Sequence, residues 1–249
     1  DKVSFSVPKG SIFGFVGANG AGKSTLMRII AGIYTADDGS VLINDEPVYD
    51  NPAAKTHLVF VPDRMHLTGG GATIERMANF YASCYPKFSF EKFDALLNIF
   101  KLDKKRRVRS LSKGMVRQAV LALSCNADVL LFDETFDGLD PIARNIAKRL
   151  IYRDMCDFGS TVILTSHSLR ELEDTCDRFA MLYQGKIVFQ NDLADAKSQL
   201  FKVQLAFARQ VTAKIEALKP LIMDMLPLSI EEVFTYELSS LGYNFDEIK

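Results

Sequence analysis

The sequence predicts an α/β protein built around a mostly parallel sheet, and three observations support this. Short apolar runs typical of buried strands alternate with segments whose apolar residues recur at helical spacing. One of these runs leads directly into a glycine-rich loop and then a helix. In a stretch from about 64 to 125, the apolar residues recur at helical spacing and no strand pattern interrupts them. Alternating strands and helices are typical of parallel sheets covered by helices, so the helical stretch is predicted to be an inserted subdomain.

Composition narrows the classes of function. The chain has 249 residues, of which 48% are hydrophobic and 24% charged, and its formal net charge is −1. A near-neutral charge argues against a general attraction to nucleic acid or to anionic lipid. The apolar runs are much shorter than a membrane span requires. We therefore expect no nucleic-acid partner, and we expect any association with a membrane to go through another protein.

The first elements lie before and around the glycine-rich loop. Alternating residues predict an exposed strand over Val3–Val7, which would open a small antiparallel N-terminal β part. Ile12–Val16 has the pattern of a buried strand, and Ser40–Ile43 is a further predicted strand. Thr56–Val61 predicts another buried strand, which stops at Pro62 and Asp63.

The stretch Gly17–Thr25 fits the phosphate-binding P-loop pattern G-x-x-x-x-G-K-[ST], and helical spacing continues after it. The glycines let successive backbone N–H groups point at phosphate oxygens, and the following helix presents its positive end to them. Lys23 is predicted to reach the β- and γ-phosphates and Ser24 to bind Mg²⁺. The predicted nucleotide-binding set is Gly17, Asn19, Gly20, Ala21, Gly22, Lys23, Ser24 and Thr25.

Helices follow in the insert. Apolar positions from Ile74 to Tyr85 share one helix face, and a second helix spans Phe90–Phe100 with Ser89 as its N-cap. A third helix, Met115–Ser124, follows Ser112. Ser112 and the N–H groups from Gly114 onward would form an anion site at the start of this helix.

Strand and helix then alternate again. The predicted elements are a strand at 128–132, a helix at Pro141–Phe158, a strand at Thr161–Thr165 and a helix at Ser168–Cys176. Beyond Asp192 the pattern weakens to a short strand at 201–207 and a capping box at Ser229 that opens a helix through Leu238. We predict a main domain at 1–190 and a small α/β extension at 191–249 packed on it.

Two acidic residues end the strand Val129–Phe132. Asp133 lies at its carboxyl end, where a carboxylate can help to hold Mg²⁺ beside a P-loop. Glu134 follows and is free of the metal, so it is predicted to act as the general base that activates a water molecule.

Taken in order, these motifs resemble those of the ATPase subunits of ABC transporters. Leu111–Met115 is similar to the LSGGQ signature, Thr135–Asp140 to the D-loop, and Ser166–His167 to the H-loop, whose histidine reaches the γ-phosphate. The resemblance covers roughly residues 3 to 190. It implies ATP and Mg²⁺ as cofactors and catalytic roles for Glu134, His167 and Lys23.

The resemblance also implies partners. ABC subunits pack head to tail, so Ser112, Gly114 and Asp140 would contact the ATP that is bound to the P-loop of a second ATPase subunit, in a homo- or heterodimer. An integral membrane permease would dock beside Asp63 and the aromatic part of the insert around Phe80, which places the chain in the cytoplasm on the inner face of the membrane.

The sequence departs from the family pattern at several positions. Asp63 stands where the Q-loop glutamine is usual, so its approach to Mg²⁺, for which it is a further candidate ligand beside Ser24 and Asp133, is in doubt. Lys113 could lie near phosphate or point to solvent. The aromatic residue that stacks on adenine would lie upstream of the first strand, which suggests an incomplete N-terminus; Phe5 could replace it or pack in the core.

Two alternatives to a transport ATPase stay open at this point. One is a soluble ABC-type ATPase that acts on nucleic acid or ribosomes, although a single cassette without a long coiled-coil insert disfavours it. The other is a nucleotide-dependent regulator with low turnover, which the change at Asp63 keeps open. The signature and the short C-terminal region favour an exporter of the ABC-2-like type.

Overall fold

The computed structural model describes residues 2–63, 71–124, 126–193 and 229–232, together with the backbone of 201–206 and 222–227. The strands are β1 (Ile12–Val16), β2 (Leu42–Ile43), β3 (Glu46–Pro47), β4 (Leu58–Val61), β5 (Val129–Asp133), β6 (Thr161–Ser166), β7 (Arg178–Tyr183), β8 (Lys186–Asp192), β9 (Phe201–Ala206) and β10 (Ile222–Pro227). The α-helices are α1 (Lys23–Ile30), α2 (Pro52–Lys55), α3 (Ile74–Cys84), α4 (Phe90–Phe100), α5 (Lys113–Leu123), α6 (Pro141–Phe158) and α7 (Leu169–Glu173).

A six-stranded sheet in the order β4-β5-β6-β1-β7-β8 forms the centre of the fold. The pairs β4–β5, β5–β6, β6–β1 and β1–β7 are parallel. The turn between β7 and β8 contains Gln184 and Gly185, both with positive φ, as expected for a tight hairpin. The predicted α/β class with a mostly parallel sheet is therefore confirmed.

Register in this sheet sets the position of the site. Val16 of β1 is paired with Ser166 of β6, and Asp133 of β5 is paired with Thr165 of β6. The carboxyl ends of these three strands therefore lie at one edge, where ligands bind in open α/β sheets. The P-loop, Glu134 and His167 each follow directly from one of these ends.

One hydrophobic cluster of the core lies between the sheet and α1. Its buried side chains are Phe13, Phe15, Met27, Ile30, Ala31, Leu58, Leu131, Ile163 and Ala180. Phe13 and Phe15 are completely buried, and apolar burial of this kind is the main favourable contribution to the stability of a fold.

The predicted strand at Val3–Val7 is wrong, because residues 2–7 make no β ladder. Their exposure does alternate, and the partly buried Phe5 packs against Phe15 with ring centroids 5.0 Å apart. Alternation reports which side chains face the core, whereas a strand also needs a neighbour for its backbone groups. The small antiparallel sheet is formed instead by β2 and β3.

The insert is helical as predicted, and side chains cap its helices. Thr73 caps α3, Ser89 caps α4 and Ser112 caps α5, each accepting a hydrogen bond from a backbone N–H three residues on. A 3₁₀ turn at Val108–Ser110 precedes α5. Residues 64–70 and 125, at the two ends of the predicted insert, lie outside the described residues.

Helix α7 is shorter than predicted, since it ends at Glu173 rather than Cys176. The chain turns there because Asp177 is already bound to β1. Its N–H donates to Ile12 O at 2.9 Å, and its Oδ2 accepts from Ile12 N at 2.8 Å. A backbone already paired with the sheet cannot continue the helix.

The chain divides into two compact units, Asp1–Gln190 and Asn191–Lys249. In the second unit β9 and β10 pair antiparallel. Ser229 and Glu232 form the predicted capping box, with Glu232 N donating to Ser229 Oγ at 3.3 Å and Ser229 N donating to Glu232 Oε2 at 3.0 Å. The rest of this predicted helix, 233–238, and the end of the predicted strand at Phe207 lie outside the described residues. The packing of the extension on the main domain stays a prediction.

Candidate nucleotide-binding and hydrolysis site

The loop Gly17–Thr25 connects β1 to α1 at the carboxyl edge of the sheet. A Cβ at Gly17 would lie 2.3 Å from the carbonyl oxygen of Leu182, so the neighbouring strand leaves room only for glycine. Gly22 has φ +104, which L residues rarely adopt. Close packing and an unusual backbone conformation therefore both demand glycine in this loop.

Backbone bonds hold the loop in place. Ala21 N donates to Ala18 O at 3.1 Å, and Gly185 N donates to Ala21 O at 2.9 Å. Asn19, Gly20 and Thr25 are exposed, and Ser24 is half-buried. Helix α1 begins at Lys23 with no side-chain cap and no acidic residue in its first turn. Its N–H groups are thus available to an anion, as at other phosphate-binding helix starts.

Lys23 lies at the centre of the site and is buried. Its Nζ donates to Gly17 O at 2.7 Å and to Ala18 O at 3.2 Å. It also pairs with Glu134 Oε1 at 3.2 Å. The structure thus brings together the predicted phosphate-binding lysine and the predicted general base, which are far apart in the sequence.

Asp133 is completely buried at the end of β5. Its Oδ1 accepts a hydrogen bond from Thr165 Oγ1 at 2.7 Å, whereas its Oδ2 has no hydrogen-bond partner among the described residues. Buried carboxylates are normally paired or bound to a cation. An orphaned carboxylate oxygen beside a P-loop therefore fits a Mg²⁺ ligand.

Glu134 is held in an unusual conformation for a residue other than glycine, with φ +48. Its N–H donates to Thr165 Oγ1 at 3.0 Å and to Thr165 O at 3.2 Å. Its carbonyl oxygen accepts from Arg117 Nη1 at 2.5 Å. Hydrogen bonds on both sides of this residue fix its backbone.

His167 follows β6 and lies near Glu134. Its Nδ1 is 3.6 Å from Asp137 Oδ2, and ligand atoms of Glu134, Asp137 and His167 all lie within 4.8 Å of one another. Burial raises the pKa of Asp137; His167 and Arg117 oppose this rise, whereas Glu134 and Glu171 add to it, and the pKa ends above its usual value.

Comparison with protein families identifies the chain. The family model described as ABC transporter matches residues 1–137. This chain belongs to the ABC transporter family, as an ATP-binding subunit. Proteins of this family bind and hydrolyse ATP, so the chain is an ATPase. The resemblance drawn from the sequence motifs is confirmed.

Two relatives with similar sequences are both named as ATP-binding proteins. The ABC transporter ATP-binding protein YtrB of Bacillus subtilis is 28% identical over 93% of this chain and 90% of its own length. The Nod factor export ATP-binding protein I of Bradyrhizobium diazoefficiens is 35% identical over 74% of this chain and 62% of its own length.

Solved structures agree on the fold. One, described as the ATP-binding subunit of an ABC transporter, has a TM-score of 0.73 and 26% identity over 79% of this chain and 85% of that one. The ATP-binding cassette MJ0796, solved as a dimer bound to ADP and Pi in a post-hydrolysis state, has a TM-score of 0.68 and 20% identity over 77% of this chain and 89% of that one.

The described partners of Lys23 are Gly17, Ala18 and Glu134, and none of these three belongs to the signature or the D-loop of this ABC ATPase. Ser112 is exposed, and its Oγ accepts from Met115 N at 3.3 Å.

Gly114 of the signature and Asp140 of the D-loop have neighbours within the same chain. Gly114 faces the D-loop, because a Cβ there would lie 3.3 Å from Gly138 O. Asp140 Oδ1 accepts from Ile142 N and Ala143 N, both at 2.9 Å, so its side chain caps α6. The in-trans roles of Ser112, Gly114 and Asp140 stay predictions.

Asp63 is the further candidate ligand for Mg²⁺, but one of its carboxylate oxygens forms an ion pair with the guanidinium of Arg117. Arg117 Nη2 lies 3.0 Å from Asp63 Oδ1 and 3.4 Å from Asp63 O. Lys113 is exposed, in accord with the alternative that its side chain points to solvent.

Sequence reasoning missed three residues that support the site: Arg117, Asp137 and Thr165. Asp137 lies within the D-loop motif and Thr165 within a predicted strand, but neither position carries a sequence signal for its partner. Arg117 is separated from Asp63 by 54 positions, so only the fold brings them together.

Proposed function

We propose that this ABC ATPase hydrolyses MgATP at a site shared between two ATPase subunits and drives an integral membrane permease. The contact between Lys23 Nζ and Glu134 Oε1 at 3.2 Å carries the catalytic part of the proposal. It puts a general base next to the residue that binds the terminal phosphates.

The residues at the carboxyl edge of the sheet fit Mg²⁺. The orphaned Oδ2 of Asp133 and the hydroxyl of Ser24 are the ligands that we assign to it. Because one oxygen of Asp63 is engaged by Arg117, we leave Asp63 out of this pair. When bound, Mg²⁺ supplies positive charge to the phosphate oxygens.

The chain's own residues have separate roles in ATP hydrolysis. The backbone N–H groups of the P-loop and the start of α1 hold the phosphates, and Lys23 exchanges the carboxylate of Glu134 for phosphate oxygens. Glu134, released from that ion pair, accepts a proton from water while the water oxygen attacks the γ-phosphorus and the bond to the β–γ bridging oxygen breaks. His167 would contact the γ-phosphate.

A second ATPase subunit, identical or different, would complete the site. Ser112 is exposed at the start of α5, where backbone N–H groups can bind phosphate. The cassette MJ0796, which was solved as a dimer with ADP and Pi, supports a dimer. The family resemblance supports head-to-tail packing, in which Ser112, Gly114 and Asp140 would meet the ATP of the other subunit. Closure of the two subunits would exclude water from the reaction.

The permease is proposed from the family. Relatives are described as ABC transporter subunits, and one serves export, which favours an exporter. The proposed docking region lies on α3 and its C-terminal end, where Phe80 is 60% exposed and packs against Tyr81, which in turn packs against Tyr85. In the described part of the chain, no helix is both long and apolar enough to cross a bilayer. The family resemblance supports a place for the chain on the cytoplasmic face of the membrane, held there by the permease.

The substitution Glu134→Gln tests the proposal, because it removes the base while keeping the shape of the side chain. We expect ATP turnover to fall by about 100-fold or more. Glu91→Gln, at an exposed position on α4, is the matched control and should keep the wild-type rate. Both variants are also purified from membranes, and mass spectrometry identifies co-purifying multi-span proteins.

Equal turnover in Glu134→Gln and in the wild type would contradict the general base and favour a nucleotide-dependent regulator with low turnover. Full turnover without any co-purifying membrane protein would instead favour a soluble ABC-type ATPase. These two outcomes separate the proposed function from its alternatives.

A further inference from the structure

Arg117 joins the insert to the catalytic edge of the sheet. It lies on α5, which also presents Ser112 and Gly114 at its start, and its side chain is 14% exposed. The guanidinium donates to Glu134 O at 2.5 Å and to Asp63 Oδ1 at 3.0 Å. The planar guanidinium reaches the two acceptors through different nitrogens, Nη1 and Nη2, whose donors have a fixed geometry, whereas a lysine offers all of its donors from one nitrogen.

The two acceptors follow neighbouring strands. Asp63 comes two residues after β4 and Glu134 directly after β5, and these strands pair in parallel, with Val61 opposite Phe132. One side chain from the insert therefore spans two adjacent strand ends. Any movement of α5 relative to the sheet would pull on the backbone of Glu134 through this contact.

The backbone of Glu134 needs such support. A residue other than glycine with φ +48 is strained, and strained residues persist where the surrounding structure holds them. Thr165 holds the N–H of Glu134, and Arg117 holds its carbonyl oxygen. The side chain of Glu134 leaves the chain between these two contacts and reaches Lys23.

We propose that Arg117 is a positioning residue for ATP hydrolysis, which holds Glu134 in the conformation that directs its carboxylate to the reacting water, and that Asp63 acts by orienting Arg117. The inference rests on the proposed function of Glu134 as general base. It gives Asp63 a role through an ion pair with α5, and it makes the position of the insert a determinant of the hydrolysis rate.

The test compares Arg117→Gln, Arg117→Lys, Asp63→Asn and the double variant Arg117→Gln/Asp63→Asn with the wild type. We expect Arg117→Gln to lower kcat by about 10- to 100-fold, as for other small misplacements of a catalytic group. KM for MgATP should stay within about threefold, since the P-loop is untouched. Arg117→Lys should have an intermediate kcat, and Asp63→Asn a smaller loss than Arg117→Gln.

The double variant should be no slower than Arg117→Gln within about twofold, because Asp63 acts only through Arg117. The matched control is Arg153→Gln on α6, whose described partner is the exposed Asp157, and it should keep wild-type kcat. Thermal unfolding of every variant separates a loss of folded protein from a loss of rate.

Three results are decisive. A wild-type rate no higher than that of Glu134→Gln overturns the proposed function itself. A normal wild-type rate with an Arg117→Gln kcat within twofold of it overturns only the role of Arg117. A higher KM together with a lower melting temperature and a lower kcat would show a purely structural role. If Arg117→Gln does not fold, Arg117→Lys and Asp63→Asn give the same comparison.

Discussion

At the scale of single residues, Thr165 connects the two acidic residues of the site. Its hydroxyl donates to Asp133 Oδ1 at 2.7 Å and accepts from Glu134 N at 3.0 Å. The same atom thus orients the carboxylate that we assign to Mg²⁺ and the backbone of the general base. Buried hydrogen-bond networks of this kind fix one arrangement when all of their members are satisfied.

Replacement of Thr165 by valine keeps the volume but removes the hydroxyl. We expect the free energy of unfolding to fall by about 1–3 kcal/mol, because Asp133 then loses its described side-chain donor in the core. A higher Mg²⁺ concentration should also be needed for half-maximal ATP turnover. Urea unfolding and Mg²⁺ titration of the rate measure the two effects.

The control for this substitution is Thr56→Val. In the described part of the chain, the hydroxyl of Thr56 donates to the carbonyl oxygen of the exposed Ala53 at 2.7 Å. The control should change neither quantity appreciably. Equal effects of the two substitutions would contradict a specific role for Thr165.

At the scale of secondary-structure elements, a buried ion pair holds the insert to the core. Lys92 of α4 pairs with Asp154 of α6, and the two side chains are only 14% and 6% exposed. Lys92 also donates to Asn126 Oδ1 at 2.9 Å and lies 4.8 Å from the ring centre of Phe158. The insert is thus attached to the core on the α6 side as well as through Arg117.

Lys92→Met should lower the free energy of unfolding by about 3–5 kcal/mol, since it leaves the carboxylate of Asp154 buried without its partner. The double variant Lys92→Met/Asp154→Leu should recover most of this loss, because it removes both charges. Urea unfolding measures each variant.

An exposed pair gives the matched comparison. Lys104 and Asp94 are 42% and 46% exposed, so Lys104→Met should cost less than about 1 kcal/mol. If the double variant is as unstable as Lys92→Met alone, the loss comes from packing and not from the unpaired charge.

At the scale of the whole molecule, the proposed catalytic site is incomplete in one chain. Its own residues supply the P-loop, Asp133, Glu134 and His167, whereas Ser112 caps α5 on an exposed surface. A shared site predicts that two inactive subunits can complement each other.

Lys23→Ala and Ser112→Glu should each abolish turnover in a homodimer. Mixing them in equal amounts, with exchange of subunits, should restore about one quarter of the wild-type rate, because half of the dimers then contain one intact site out of two. Steady-state ATP turnover of the mixture and of each variant alone measures this.

The shared site would be contradicted if native mass spectrometry shows heterodimers but the mixture turns over ATP no faster than the separate variants. The control mixes Lys23→Ala with Glu134→Gln. Both changes lie on the P-loop side of the site, so every site formed keeps a defect and the rate should stay low.

Much of the fold could be predicted from the sequence because its signals are local. Helix α6 begins at Pro141 and ends at Phe158 as predicted, because Asp140 and Pro141 start it and Gly159 ends it with φ +65. The apolar runs likewise gave the buried strands. Alternation failed at Val3–Val7, because facing the core does not provide a partner for the backbone.

The sequence by itself determined the family, the order of the motifs and the residue types at the site, since glycine, lysine and acidic residues at fixed spacing carry that chemistry. Only the tertiary structure decided which of these groups meet. The register of β1, β5 and β6 brings Lys23 to Glu134, and the packing of α5 brings Arg117 to Asp63 and Glu134. Contacts between distant segments depend on strand order and helix packing, which local patterns do not encode.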